Sequence, residues 1–320
     1  MKSRFLIAAL AIALSTLAQT ANAQSFPQRP IRIIVPYGAG GSPDVLSRLF
    51  GQKLSESLGQ PVLTDNRPGA SGIIAAELAA KAPADGYTLF IADTGHLAIN
   101  PALRPNLPYE PLRDFAPITL AVSVPLYLLV NNSVPATTVG ELIALSRTRD
   151  LLYGSAGNGS PHHLAMEFFK SMSGAKLTHV PYKGNAQMVP AVLAGDVAVL
   201  MTGLTAVRAH MEAGKLRVLA MTSGKRSPIT PDVPTLAESV PGYEASDIIG
   251  FLAPAATPRD IVAKLNTEFV KLLAQADVRQ RVAGFAMEVV GSTPEQYAEA
   301  IRDKQQRYSA LAKSVGLRVD

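Results

Sequence analysis

Ile31-Arg32-Ile33-Ile34-Val35-Pro36-Tyr37-Gly38-Ala39-Gly40-Gly41-Ser42-Pro43-Asp44 is the stretch whose reading decides the fold. Ile31 to Val35 is an apolar, β-branched run and reads as a buried strand. A Gly-rich turn follows, and then Leu46, Leu49, Phe50, Leu54 and Leu58 recur near helical spacing until Gly59 stops the pattern. The unit is strand, loop, helix. Downstream, Val62-Leu63-Thr64 predicts an extended segment, Ile73 to Ala80 a helix, Pro83-Ala84-Asp85-Gly86 a turn and Tyr87 to Ala92 a strand. A second series with the same grammar begins at Leu126 to Val130. It continues through a helix at Val139 to Arg147, a strand at Leu151 to Tyr153 and a helix at His162 to Met172. Leu177 to Val180, Ala186 to Ala194, Val197 to Met201 and Arg217 to Met221 extend it. Alternation of this kind predicts an α/β architecture with mostly parallel sheets flanked by helices.

Two helix starts mark the C-terminal part, at Thr257-Pro258 and at Thr293-Pro294-Glu295-Gln296, where Thr293 caps and Gln296 closes a capping box. These helices are expected to pack back on the first series. Pro101 to Pro117 reads as an ordered loop. The chain has 320 residues, 48% of them hydrophobic, which is enough for two lobes of ordinary domain size.

At the N-terminus, Lys2 and Arg4 precede an apolar run from Phe5 to Leu17, and Ala21-Asn22-Ala23 supplies an A-x-A cleavage site. The pattern predicts an export signal removed after Ala23, with a mature chain from Gln24. No later stretch reaches the roughly 18 uninterrupted apolar residues of a membrane span. The chain has no cysteine, so neither a disulfide nor a lipid-modified cysteine is expected. The net charge of +5 falls to +3 once Lys2 and Arg4 are removed. That balance, with no basic run and no aromatic interleaving, argues against a nucleic-acid partner and mildly favours anions.

Candidate ligand residues lie where strands give way to helices. Tyr37, Gly38, Ala39, Gly40, Gly41, Ser42 and Asp44 form a loop whose glycines can turn backbone N–H groups inward, with Ser42 as N-cap and Pro43 at the first helical position. The loop is neither a Walker A sequence, which needs Gly-Lys-Ser/Thr, nor a dinucleotide fingerprint, because Pro43 stands in place of the last glycine. Ser155, Gly157, Asn158, Gly159 and Ser160 make a second loop of the same kind before Pro161. An ordinary tight turn explains either loop alone. The same chemistry at the same place in both series favours a cleft at the carboxyl ends of the strands. Thr94, Gly95 and His96, and Tyr182-Lys183-Gly184, follow strand ends in the same manner and form a second tier.

His162, His163 and Glu167 invite sharper readings. His163 and Glu167 at i, i+4 could hold a metal, but there is no H-E-x-x-H pattern and no further ligand cluster. Ser155 or Ser160 could act as a hydrolase nucleophile, but neither sits in G-x-S-x-G. Neither a metal, nor a cofactor, nor an enzymatic activity is therefore expected.

A family resemblance rests on many segments in order: Arg29-Pro30-Ile31 through Asp44, Asn66-Arg67-Pro68-Gly69-Ala70-Ser71-Gly72, Asp85-Gly86-Tyr87-Thr88-Leu89, Asn100-Pro101, Leu107-Pro108-Tyr109, Asp114-Phe115-Ala116-Pro117, Ser155 to Leu164, Val180-Pro181-Tyr182-Lys183-Gly184 and Pro231-Asp232-Val233-Pro234-Thr235-Leu236. The chain resembles the Bug-type extracytoplasmic receptors, the substrate-binding components of tripartite tricarboxylate transporters. The resemblance implies a two-lobed periplasmic binding protein fold of type II, with crossings near residues 125 and 246. Residues 24–125 and 247–320 would form one lobe and 126–246 the other. It further implies a monomer that carries a small carboxylate to membrane permease subunits. In the family, the loops matched by Tyr37 to Asp44 and by Ser155 to His163 grip a carboxylate through backbone N–H groups and waters, and the segment at Thr94 and Gly95 lines the other side.

Two departures stand out. Tyr37-Gly38 replaces the Phe-Pro/Ala usual in the first loop. Thr202 or Gly203 stands where many relatives carry an acidic residue able to meet a ligand's amino group, which puts simple carboxylates ahead of amino acids. The rival readings are an extracytoplasmic sensor on the same fold and a periplasmic serine hydrolase.

Overall fold

The computed structural model describes residues 26–182 and 184–314; the expected export signal and Lys183 lie outside the described residues. The first series comprises β1 (Ile31–Val35), α1 (Ser42–Leu58), β2 (Val62–Asn66), α2 (Ile73–Ala80) and β3 (Thr88–Asp93). A π-helical turn, Gly95–Ile99, then runs into α3 (Asn100–Leu103), α4 (Pro111–Asp114) and β4 (Phe115–Val124). The second series is β5 (Leu126–Asn131), α5 (Val139–Ser146), β6 (Leu151–Ser155), α6 (Pro161–Ser173), β7 (Leu177–Pro181), α7 (Asn185–Ala194), β8 (Val199–Gly203), α8 (Leu204–Glu212) and β9 (Leu216–Met221). The chain closes with β10 (Asp247–Pro254), α9 (Arg259–Leu273), α10 (Ala276–Gly284), β11 (Glu288–Val289) and α11 (Pro294–Ser314).

The strands form two sheets. The first has the order β11-β4-β10-β3-β1-β2 and the second β7-β6-β8-β5-β9. In the first, β1 to β4 run one way and β10 and β11 the other; in the second, β6 to β9 run one way and β5 the other. The expectation of mostly parallel α/β sheets therefore holds by strand direction. In each sheet the strand that enters directly from the other sheet, β10 or β5, runs against its neighbours.

The chain leaves the first sheet between Val124 and Leu126 and returns between Met221 and Asp247. Thr222 ties these passages together. Its hydroxyl accepts from the Leu126 N–H at 2.9 Å, its N–H donates to the Leu126 carbonyl at 2.8 Å, and its carbonyl accepts from the Ala245 N–H at 3.1 Å.

One face of the first sheet packs against α1 and α9 around Phe50, Phe251 and Phe269, with Phe251 and Phe269 stacked at 4.2 Å. The second sheet buries Tyr153, Phe169, Met201 and Tyr243. As expected, the C-terminal helices return to the first sheet, where Tyr297 and Ile301 of α11 are buried. The far end of α11 goes further: Leu311 packs with Leu164 of α6 on the second sheet. The capping box at Thr293 forms, with Thr293 Oγ1 accepting from Gln296 N–H and Gln296 Oε1 accepting from Thr293 N–H. Thr257 does not cap α9. Pro258 holds that position, and the Thr257 hydroxyl is buried without a partner among the described residues.

The stretch read as a loop from Pro101 to Pro117 contains part of α3, all of α4 and the start of β4. Strands β4 and β10, in the middle of the first sheet, are the principal elements absent from the sequence reading. Gly250 in β10 marks the tightest point, since a Cβ there would lie 2.5 Å from the Thr119 carbonyl oxygen and 2.5 Å from Tyr297 Cζ. We predict that Gly250→Ala costs about 1–3 kcal/mol of stability through overpacking. Gly38→Ala, where a Cβ meets nothing within 4 Å, should change stability by less than about 0.5 kcal/mol. Paired thermal melts check both.

Candidate functional site

A cavity of about 650 Å³ lies between the two sheets. It sits at the carboxyl ends of β1, β3, β6 and β8, where open α/β sheets place their ligands. Four helices begin on its wall, represented by Gly41-Ser42 for α1, Ser160-Pro161 for α6, Gly184-Asn185 for α7 and Gly203-Leu204 for α8. The opening N–H groups of a helix have no acceptor in its own ladder, and the helix dipole adds positive potential there. Among the described residues, no acceptor is found for the N–H groups of Gly41, Ser42, Asn158 or His162. Such a cradle suits an anion.

The first loop is braced from below by Asp44. Its carboxylate accepts from the Gly40 N–H at 2.9 Å, from Asn66 Nδ2 at 2.9 Å and from Arg48 Nε at 3.1 Å. Burial opposes its ionisation, but these donors together outweigh burial and hold the carboxyl below its ordinary value. Helix α1 begins one residue earlier than the sequence suggested: Gly41, not Ser42, is the N-cap, and no side chain caps it. In the second loop Ser160 caps α6, its hydroxyl accepting from the His163 N–H.

The opposite side of the cavity is acidic. Asp93, at the end of β3, accepts from the Tyr37 hydroxyl at 2.7 Å. Its other oxygen lies 2.7 Å from His96 Nδ1. Burial works against the Asp93 charge, and His96 and Tyr37 overcome it, so the carboxyl is held below its ordinary value. Burial, reinforced by Asp93, pushes the Tyr37 hydroxyl up, which keeps its proton available for this bond. Gly95 leaves this pair uncovered, because a Cβ there would fall 2.9 Å from Asp93 Oδ1. Asp247, the first residue of β10, also lines the cavity and accepts from the Thr94 N–H at 3.0 Å. Burial and then the Asp93 charge push its carboxyl up to about 7.

Of the residues singled out in the sequence, Tyr37, Gly41, Ser42, Gly95, Asn158, Gly159, Ser160, His162, Gly184 and Gly203 line the cavity. The others stand behind it or away from it. Gly38, Ala39 and Gly40 are exposed, and the Gly40 N–H is spent on Asp44. Thr94 is fully buried and stitches β3 to β10 through Asp247 and the Ile248 N–H. Thr202 is also buried, with its hydroxyl on Asn185 Oδ1. Ser155 is fully buried, its Oγ 2.6 Å from His179 Nε2 and 3.1 Å from the Gly157 N–H, so Ser155 and Gly157 shape the loop from within. His163 faces inward as well: its Nδ1 accepts from the Gly159 N–H and its ring stacks on His179 at 4.0 Å. The cavity histidine is His162, which burial pushes down to about 4 and so keeps neutral.

These placements bear on the sharper readings. Glu167 is bound to Tyr153 and Lys170, and His163 to the loop, so the two residues considered as metal ligands are committed elsewhere. Ser155 and His179 touch as a nucleophile and base would, but Ser155 is sealed from the cavity and is not within reach of a substrate there.

The model of the tripartite tricarboxylate transporter family receptor matches residues 46–317. The chain belongs to that receptor family. It is 36% identical over 312 residues to BugT of Bordetella pertussis, covering 96% of each chain. An R. palustris protein solved with adipate superposes at a TM-score of 0.80 with 38% identity, over 92% of this chain and 99% of that one. MatC from Rhodopseudomonas palustris with bound malate gives a TM-score of 0.76 at 30% identity, over 89% and 99%. The family and these neighbours are solute-binding receptors, not enzymes. Asp93, Asp247 and Asn185 are cavity residues of this family receptor that the sequence did not single out, and the helix starts at Gly184 and Gly203 were not read from it as donors.

The brace under the first loop is testable by pH. Because the folded carboxyl of Asp44 titrates below its ordinary value, its contribution is present above that value and is lost as pH falls through the folded one. Asp44→Ala should cost about 1.5–3 kcal/mol at pH 7 by removing hydrogen bonds to a charged, buried carboxylate. The gap to wild type in thermal melts should close between about pH 5 and pH 2.

Proposed function

We propose that this receptor is a periplasmic solute-binding protein that captures a small carboxylate in the cavity between its lobes and delivers it to membrane permease subunits of a tripartite tricarboxylate-type transporter. The observation that carries the reading is the convergence of four helix N-termini on one cavity of about 650 Å³. A carboxylate accepts several backbone N–H bonds at once, and main-chain donors reward its charge and shape more than the rest of the ligand. The adipate and malate carried by the two structural relatives are acids of that class.

In this reading residues 24–125 and 247–320 form one lobe and 126–246 the other. The lobes rotate about Pro125 and Ser246, with Thr222 keeping the two passages in step. Ligand favours the closed form because only there do donors from both lobes meet it, and the permease subunits read that form. The N-terminal pattern of Lys2, Arg4, the apolar run and Ala21-Asn22-Ala23 supports export and cleavage after Ala23. Among the described residues no helix is long and apolar enough to cross a membrane. The receptor acts as a monomer without cofactor or metal.

The test is a thermal-shift screen of residues 24–320 against mono-, di- and tricarboxylates, with neutral sugars as controls. A carboxylate at 100 times its dissociation constant should stabilise the fold by about 2.7 kcal/mol. A shift with sugars alone, or with no acid, contradicts the proposal. Gly41→Val, at an ordinary backbone angle on the cavity wall, should weaken carboxylate binding at least about ten-fold, or 1.4 kcal/mol, with the ligand-free melting temperature held. Unchanged affinity removes the α1 start from the site.

A further inference from the structure

The cavity is electrically two-sided. Helix starts line one part of its wall, and two carboxylates, Asp93 and Asp247, line another. A fully deprotonated diacid fits the first part and is repelled by the second. The protein's own cations offset the repulsion only in part, His96 by pairing with Asp93 and Lys304 by acting on Asp247 at a distance. Lys304, which acts on Asp247 from behind, is held by Glu244 Oε2 at 2.9 Å and the Ser246 carbonyl at 2.8 Å. Arg104 also lines the cavity and already has a partner. His162 is kept neutral by burial.

Asp93 is a finished acceptor site on the protein side, with Tyr37 on one oxygen and His96 on the other. Asp247 is not. One oxygen takes the Thr94 N–H, the Thr94 hydroxyl adds a second contact to the carboxyl, and no cation among the described residues pairs with it. Strand pairing sets the two aspartates diagonally across neighbouring strands, since Asp93 pairs with Ile249, two residues beyond Asp247, and the Asp93 charge acts on Asp247. Of the two, Asp93 has His96 in contact, whereas Asp247 has no cation in ion-pair contact among the described residues, a costly state for a carboxylate on a desolvated wall.

We infer that this acidic wall receives a protonated nitrogen, so that the cargo is an aminocarboxylate whose carboxylate lies against the helix starts and whose ammonium lies against Asp247 and Asp93. The inference rests on the carboxylate-receptor reading above and names its substrate class. It also relocates the place where an amino group is read. Thr202 is buried against Asn185 and Gly203 on the cavity wall carries no charge, so the carboxylates that reach the cavity are Asp93 and Asp247. The acidic function sits on the other sheet.

Proton linkage gives the inference a signature. With burial and Asp93 holding the Asp247 carboxyl up to about 7, a bound cation favours its charged form and expels the proton, whereas a bound anion favours the neutral form and draws one in.

The experiment is titration calorimetry of residues 24–320 at pH 7 in buffers of different ionisation enthalpy, with matched pairs: succinate and aspartate, glutarate and glutamate, adipate and 2-aminoadipate. In at least one pair the amino member should bind at least about ten-fold tighter, 1.4 kcal/mol, with net proton release. Asp247→Asn should bring that ratio below about three-fold and strengthen the plain acid. Should that variant fail to fold, Asp93→Asn and the wild-type comparison serve the same purpose. Plain acids binding as tightly as their amino partners, with proton uptake, overturn the inference and leave the carboxylate receptor standing. Absence of binding by both members of every pair overturns the carboxylate reading as well.

Discussion

An α-helix begins with N–H groups that its own ladder cannot satisfy, and in this receptor four helices begin at one cavity. Most of the architecture serves that placement. Each helix follows a strand, so the strand order within each sheet sets which helix starts are neighbours, and the pairing of the two sheets sets which face each other. The Gly-rich turns at Gly40-Gly41 and Gly157 to Ser160 let the backbone come close without side chains in the way. Asp44 and His163 then use up the donors that point away from the cavity, at Gly40 and Gly159, which leaves the inward ones as the open groups.

A cavity made from two sheets needs a connection that lets them move while keeping them in register. The two passages at Pro125 and at residues 222–246 provide it, and Thr222 bonds one to the other through both its backbone and its side chain. Lys304 of α11 holds the second passage at Ser246, and the far end of the same helix packs against α6 of the other sheet. One helix therefore contacts a passage between the sheets and elements of both.

Much of this was legible in the sequence because turn chemistry is local. Glycine, serine and proline at Gly40 to Pro43 and at Gly157 to Pro161 announce a loop before a helix whatever surrounds them, and the alternating elements announce α/β sheets. The acidic wall was not legible. Asp93 and Asp247 meet only through pairing of β3 with β10, and the Thr94 to Asp247 bond that accompanies it spans 153 residues. Strands β4 and β10 are buried on both faces, so they lack the alternation that marks a half-exposed strand. His162 and His163 show the same limit at short range. They are adjacent at a helix start, and only the packing of His163 on His179 decides which one turns to the cavity.

The central claim is that helix starts from both sheets grip one carboxylate between them. The most direct measurement is a crystal structure of residues 24–320 grown with a saturating four- to six-carbon dicarboxylate or its amino derivative. The expected complex has a carboxylate whose oxygens lie about 3 Å from the N–H groups of Gly41 or Ser42 on one side and of Asn158 or His162 on the other. A ligand bound outside this cavity, or held by side-chain cations with those N–H groups left open, would contradict it.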